Sequence, residues 1–134
     1  MSRIISETVK KAITEAAAKA LASLGPEGIN VVPVSMIKVN DSTIWLFDFF
    51  MQKTANNIKA NPEVALTIWT GMTGLQIKGQ AEYITNGGDF EEAVAFVASQ
   101  NPSRVVQGLI VLTPSNIYDI SPGGSFKLEE LNLT

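Results

Sequence analysis

Strand-forming segments follow one another directly in this chain, separated by short turn signals. They do not alternate with long helical segments. Ile29 to Val39 and Thr43 to Phe50 are dense in Val, Ile and aromatics, with the turn Asn40-Asp41-Ser42 between them. Val64 to Thr70 and Leu75 to Thr85 flank Gly71-Met72-Thr73-Gly74, and Gln107 to Ile120 is a long last strand. Hairpin-like succession excludes regular βαβ units and argues for a small antiparallel barrel. Residues 29–50 read as one β-hairpin. Pro33 lacks a ladder donor and marks an edge, a bulge or an opening within it. Gly79 reads as a bulge or a point of close approach.

Three short helices punctuate the strands. Ser6 caps the first, which runs to about Ala16, with Glu7 at the positive end of the dipole. Alanine-rich composition alone extends it through Leu24, where Gly25-Pro26-Glu27-Gly28 forces a turn. The second helix runs from Lys53 to Ala60 and stops at Asn61-Pro62. The third runs from Phe90 to Ser99, behind a capping box of Asp89 and Glu92, and closes at Asn101-Pro102. The expected fold is mainly β (α+β): roughly six antiparallel strands with short flanking helices, in one domain over residues 1–134.

Composition narrows the chemistry. The 134 residues contain no cysteine and no histidine. Disulfides, zinc fingers, thiolate iron–sulfur sites, Ser-His-Asp triads and Cys-His dyads are thereby excluded, and no metal site is expected. Few remaining side chains change protonation near neutral pH, so difficult chemistry falls to a bound cofactor. Net charge is −3, without a Lys/Arg cluster, so nucleic-acid binding is not expected. Only 17% of residues are charged, which points to a surface partly buried in an oligomer. The segment Met1 to Glu7 lacks a signal-peptide core, and no run approaches the ~20 apolar residues of a membrane span. The expected location is cytoplasmic.

The stretch Phe47-Asp48-Phe49-Phe50-Met51-Gln52-Lys53-Thr54 joins an aromatic strand to a cation, a hydroxyl and a helix start. Thr54 as N-cap, the first helical amides and the Lys53 charge would together suit a phosphate beside a flat apolar ring. The local alternative is a solvated lysine beside an ordinary cap. Side chains alternate along a strand, so Phe47 and Phe49 share one face and Phe50 takes the other. At least one face then meets a cofactor, a partner or a second core. Asp48 is a lone acid among aromatics, which either hydrogen-bonds backbone or ligand or faces water at an edge. Trp45 and Trp69 read as packing residues.

Four stretches together resemble the FMN-binding split β-barrel family that includes pyridoxamine 5'-phosphate oxidase, over about Ala17 to Ile120. They are Ala20–Ser23 with Gly28–Ser35, Met51–Asn57, Asn61–Leu66, and Thr73–Gly79. The likeness is greatest to the small bacterial FMN-binding proteins. The resemblance implies that Ala18 to Leu24 is the first barrel strand, against its local helix propensity. It implies a homodimer with FMN at the subunit interface and a small-molecule or protein redox partner. Lys53 and Thr54 would hold the FMN phosphate, supported by Gln52. Asp48, Phe49, Phe50 and Met51 would run beside the ring, and Val32, Pro33, Val34 and Ser35 would line it from the neighbouring strand. Thr73, Gly74, Leu75 and Gln76 would reach it from the second subunit. No catalytic residue is assigned.

The chain departs from the family pattern in three places. Phe49 and Phe50 stand where glycines are frequent, and no arginine neighbours Lys53. The oxidases' C-terminal substrate segment, with its Arg and His, has no counterpart, so oxidation of that vitamer is not the expected activity. The implied function is an FMN-dependent oxidoreductase. The alternatives are a non-enzymatic flavin binder or electron carrier, and a barrel that has lost FMN or takes a deazaflavin.

Overall fold

The computed structural model describes residues 3–134; Met1 and Ser2, the start of the segment read as lacking a leader, lie outside the described residues. Three α-helices, α1 (Glu7–Glu15), α2 (Gln52–Ala60) and α3 (Gly88–Gln100), accompany seven strands. The strands are β1 (Ala18–Gly25), β2 (Gly28–Pro33), β3 (Ile37–Val39), β4 (Ile44–Asp48), β5 (Glu63–Thr70), β6 (Thr73–Ile84) and β7 (Gly108–Asp119). They form one curled antiparallel sheet, a half-barrel, in the order β2-β1-β5-β6-β7-β4-β3.

The mainly β fold is as expected, with seven strands in place of six. The segment read as one strand, Ile29 to Val39, breaks after Pro33. Residues 29–50 are therefore not one hairpin: β2 pairs with β1, while β3 pairs with β4 at the opposite edge of the sheet. Pro33 ends an edge strand, where its missing N–H costs the ladder nothing. The alanine-rich segment Ala18 to Leu24 is strand, as the resemblance implied. Pairing on both sides, with β2 and β5, supplies backbone bonds that outweigh its helix propensity.

β4 is buried along its whole length. Ile44 and Leu46 face the main core with Leu21, Leu66, Ile77 and Ile110, covered by Ile5, Val9 and Ile13 from α1 and its approach. Trp45, Phe47 and Phe49 face a second core with Ala93, Val97, Val106 and Leu109. That second core is what the alternate face of the aromatic run meets. Phe47 stacks on Phe96 of α3 with ring centroids 5.6 Å apart. Trp69, by contrast, is partly exposed.

Ser6 caps α1, its hydroxyl accepting the Val9 N–H at 3.2 Å. The capping box expected at Asp89 and Glu92 does not form. α3 begins earlier, behind Gly87 at φ 95°, and both acids lie inside the helix. Gly79 marks a register shift between β6 and β7, as its bulge reading required. A Cβ there would meet the Thr113 carbonyl oxygen at 2.2 Å, so only glycine lets the strands close.

Candidate functional site

A cavity of about 690 Å³ opens where three connecting segments meet. Val32, Pro33, Val34 and Ser35 come from the end of β2 and the segment after it, and Phe49, Phe50 and Met51 from the β4–α2 junction. Ser103, Arg104, Val105 and Gln107 come from the loop between α3 and β7. The volume lies within the roughly 300–1,000 Å³ range of small-molecule sites. The first two groups are residues the sequence singled out, and the fold joins them around one cavity.

The β4–α2 junction is held by Asp48. Its Oδ1 accepts the Met51 N–H at 2.5 Å and its Oδ2 accepts the Tyr83 hydroxyl at 2.6 Å. Asp48 is buried, so these bonds compensate a carboxylate removed from water. Burial first, and then donation to this carboxylate, push the Tyr83 phenol well above its ordinary pKa. Gly108, opposite Asp48 in the ladder, makes room for the phenol. A Cβ at 108 would lie 2.2 Å from Tyr83 Cζ and Oη.

Phe49 is buried against the second core, whereas Phe50 is 97% exposed at the rim. Neither ring fills the cavity.

Thr54 does not cap α2. The cap position is Met51, without a side-chain bond, and Thr54 is the third helical residue. It is fully buried, and its hydroxyl accepts the Asn30 amide of β2 at 3.1 Å. The reading failed because Thr after a polar pair looks like a cap, while Asp48 already holds the Met51 N–H. Lys53 lies outside the cavity lining and pairs with Glu27 of the β1–β2 turn at 3.1 Å. Both partners are largely exposed, so the pair is worth about 0–1 kcal/mol and exchanges readily.

The start of α2 suits an anion. The N–H groups of Gln52, Lys53 and Thr54 occupy the first turn, where no intrahelical acceptor exists, and Met51 brings this end to the cavity edge. An apolar wall beside an amide-rich helix start fits a planar ring carrying a phosphate.

Arg104 was missed by the sequence reading, which found no arginine beside Lys53. The fold brings Arg104 to the cavity from a distant segment, at the other end of β2 from Lys53. Its Nη1 donates to Ser35 Oγ at 2.8 Å, and its guanidinium lies 4.7 Å from the centroid of the Phe49 ring. The only local signal was an arginine in the loop that Asn101-Pro102 opens.

Thr73, Gly74, Leu75 and Gln76 are not brought to this cavity within one chain. Thr73 and Gly74 border a second cavity of about 510 Å³, beside α1 residues Lys11 and Glu15 and beside Phe126. The Gly74 N–H donates to Ser121 Oγ at 3.1 Å, Leu75 is buried in the main core and Gln76 is half-buried. No helix among the described residues is long and apolar enough to cross a membrane.

The same architecture occurs in known proteins. HupZ of Group A Streptococcus superposes with a TM-score of 0.79 at 20% identity, covering 92% of this chain and 100% of that one. An FMN-binding protein of Syntrophomonas wolfei gives 0.75 at 15% identity, covering 87% and 86%. An F420 reductase gives 0.62 at 17% identity, covering 81% and 94%. At these identities the likeness is one of fold. In sequence, an uncharacterized protein of Methanocaldococcus jannaschii is 32% identical over 108 residues, 77% of this chain and 72% of its own length. The sequence profile of pyridoxamine 5'-phosphate oxidase matches residues 5–121, nearly the whole described fold. The chain belongs to the pyridoxamine 5'-phosphate oxidase family.

Proposed function

We propose that this protein is a homodimeric flavoprotein that binds FMN and transfers electrons or hydride through it. The observation that carries the reading is the cavity itself, an apolar wall ending at an uncapped, cation-flanked helix start. Family membership and the fold shared with an FMN-binding protein support it. The ring would lie against Val32, Pro33, Val34 and Ser35 on one side and Phe49, Phe50 and Met51 on the other. Asp48 would act through the Met51 backbone, and the phosphate would meet the amides of Gln52 and Lys53. Thr73, Gly74, Leu75 and Gln76 would reach the cofactor from the partner subunit.

Bound FMN would supply the redox chemistry, since among the described residues no side chain lining the cavity is an acid or base near neutral pH. The chain's own work is to hold the phosphate, exclude water with the apolar wall and leave one side accessible. Phe50 is exposed and not folded over the cavity of its own chain, which favours reaction with a small molecule over a covered electron carrier. The deazaflavin alternative rests on the fold shared with an F420 reductase.

The visible absorbance of the purified protein and the mass of the released cofactor test this reading. A colourless protein that takes up no added FMN overturns it, and a released deazaflavin replaces FMN. Lack of turnover with NADH, NADPH or any other donor would reduce it to a flavin carrier.

Lys53→Ala is expected to weaken FMN binding by about tenfold, the scale of one charge-assisted contact at an exposed site. Riboflavin, which lacks the phosphate, should bind both forms equally. Fluorescence titration with the two ligands checks this; unchanged FMN affinity removes Lys53 from the site.

A further inference from the structure

Two cations border this site, and they stand at opposite ends of β2. Lys53 pairs with Glu27, just before the strand, and Arg104 bonds Ser35, just beyond it. The six residues of β2, roughly 20 Å at ~3.3 Å per residue, separate their partners Glu27 and Ser35. One phosphate does not bridge that span. With the flavin phosphate at the start of α2, Arg104 is left facing the cavity at the other end.

Among the described residues, Arg104 is the only charged one in the cavity lining, with no Asp or Glu beside it. Among the described residues, no carboxylate forms an ion pair with it. The guanidinium lies over the Phe49 ring, and Ser35 takes one N–H. The remaining donors of the planar fork are uncommitted. A fork held this way matches a single planar carboxylate, which accepts two parallel N–H bonds. Val105, next to Arg104 in the lining, and the open side of the flavin ring suit an apolar body attached to that carboxylate.

We propose that Arg104 recognises the second ligand of this site, and that this ligand is a small organic acid with a carboxylate on an apolar or aromatic body. The proposal rests on the flavin reading, which leaves Arg104 without a partner.

Benzoate and its neutral analogue benzamide are the probes. The protein as purified is titrated with each while the flavin absorbance is followed, for the native chain, Arg104→Gln and Arg104→Lys. Benzoate should perturb the spectrum saturably and bind at least about tenfold more tightly than benzamide, the scale of a charge-assisted pair. Arg104→Gln should erase that preference. Arg104→Lys, which keeps the charge but not the fork or the stack, should retain only part of it. Arg104 is surface-exposed, so both variants should fold.

Equal binding of the two probes to the native chain overturns the proposal, as does an undiminished benzoate preference in Arg104→Gln. An Arg104→Gln variant that loses FMN affinity but keeps riboflavin affinity assigns the arginine to the phosphate and also overturns it. A yellow protein blind to benzoate defeats this proposal alone. A protein that takes up no flavin defeats it together with the reading beneath it.

Discussion

Replacing Asp48 with alanine should destabilise the fold by about 2–4 kcal/mol and weaken flavin binding at least tenfold. The carboxylate is buried and accepts two bonds, from the Met51 N–H and the Tyr83 hydroxyl. Alanine leaves both donors without that acceptor. The backbone at Met51 then loses the bond that fixes the turn from β4 into α2, and with it the aim of the helix's first amides. Asp48→Asn keeps the shape and one carbonyl acceptor, so its cost should be about half. Urea denaturation and FMN titration read the two effects separately. An alanine variant as stable as the native chain would show that the junction is held by packing alone.

The same contact makes a pH prediction. The Tyr83 phenol is raised above its ordinary 10.0 by burial first and by Asp48 second. A raised folded pKa means that the folded state keeps its proton longer than the unfolded state. The contribution is therefore complete below the ordinary value and is lost as pH rises beyond it. Stability should fall as the medium is taken from about pH 10 to 12, and Tyr83→Phe should flatten that fall while lowering stability at neutral pH. Identical alkaline slopes in the two proteins would contradict this.

Phe47→Ala should cost about 3–5 kcal/mol, the range for removing a fully buried aromatic. A thermal midpoint lower by roughly 10–15 °C is expected. Phe47 anchors the second core through its stack on Phe96, so the loss should fall first on α3. Hydrogen exchange should show α3 opening before the β5–β6 ladder does. The loop that carries Arg104 follows directly from α3, so benzoate affinity should fall even though Phe47 does not line the cavity. Uniform acceleration of exchange across the chain would instead mean that both cores open as one unit.

Local patterns specified much of this fold. Ser6, Asn61-Pro62 and Gly79 each carried a mechanism that works within a few residues, and each stands where its mechanism requires. β1 was legible only through resemblance, because its strand state depends on pairing with β2 and β5. The misread features were those settled by distant partners. Residues 29–50 resembled one hairpin because nothing local tells β2 that its partner is β1, or β4 that its second neighbour is β7. Thr54 looked like a cap because nothing local shows that α2 starts two residues before it, with the buried Asp48 holding the Met51 N–H. Within the cavity, two walls were readable as short segments. The third came from residues 103–107, more than fifty positions from the other walls, and Arg104 had no local feature to distinguish it from a surface charge.

Gly108 contributes no side chain to the cavity, yet it governs whether Tyr83 can reach Asp48. A methyl group there would displace the phenol and, through Asp48, the Met51 amide. Mutational sensitivity of the ligand site should therefore extend to a residue that no ligand touches. A scan confined to the cavity walls would miss one of the positions the site can least exchange.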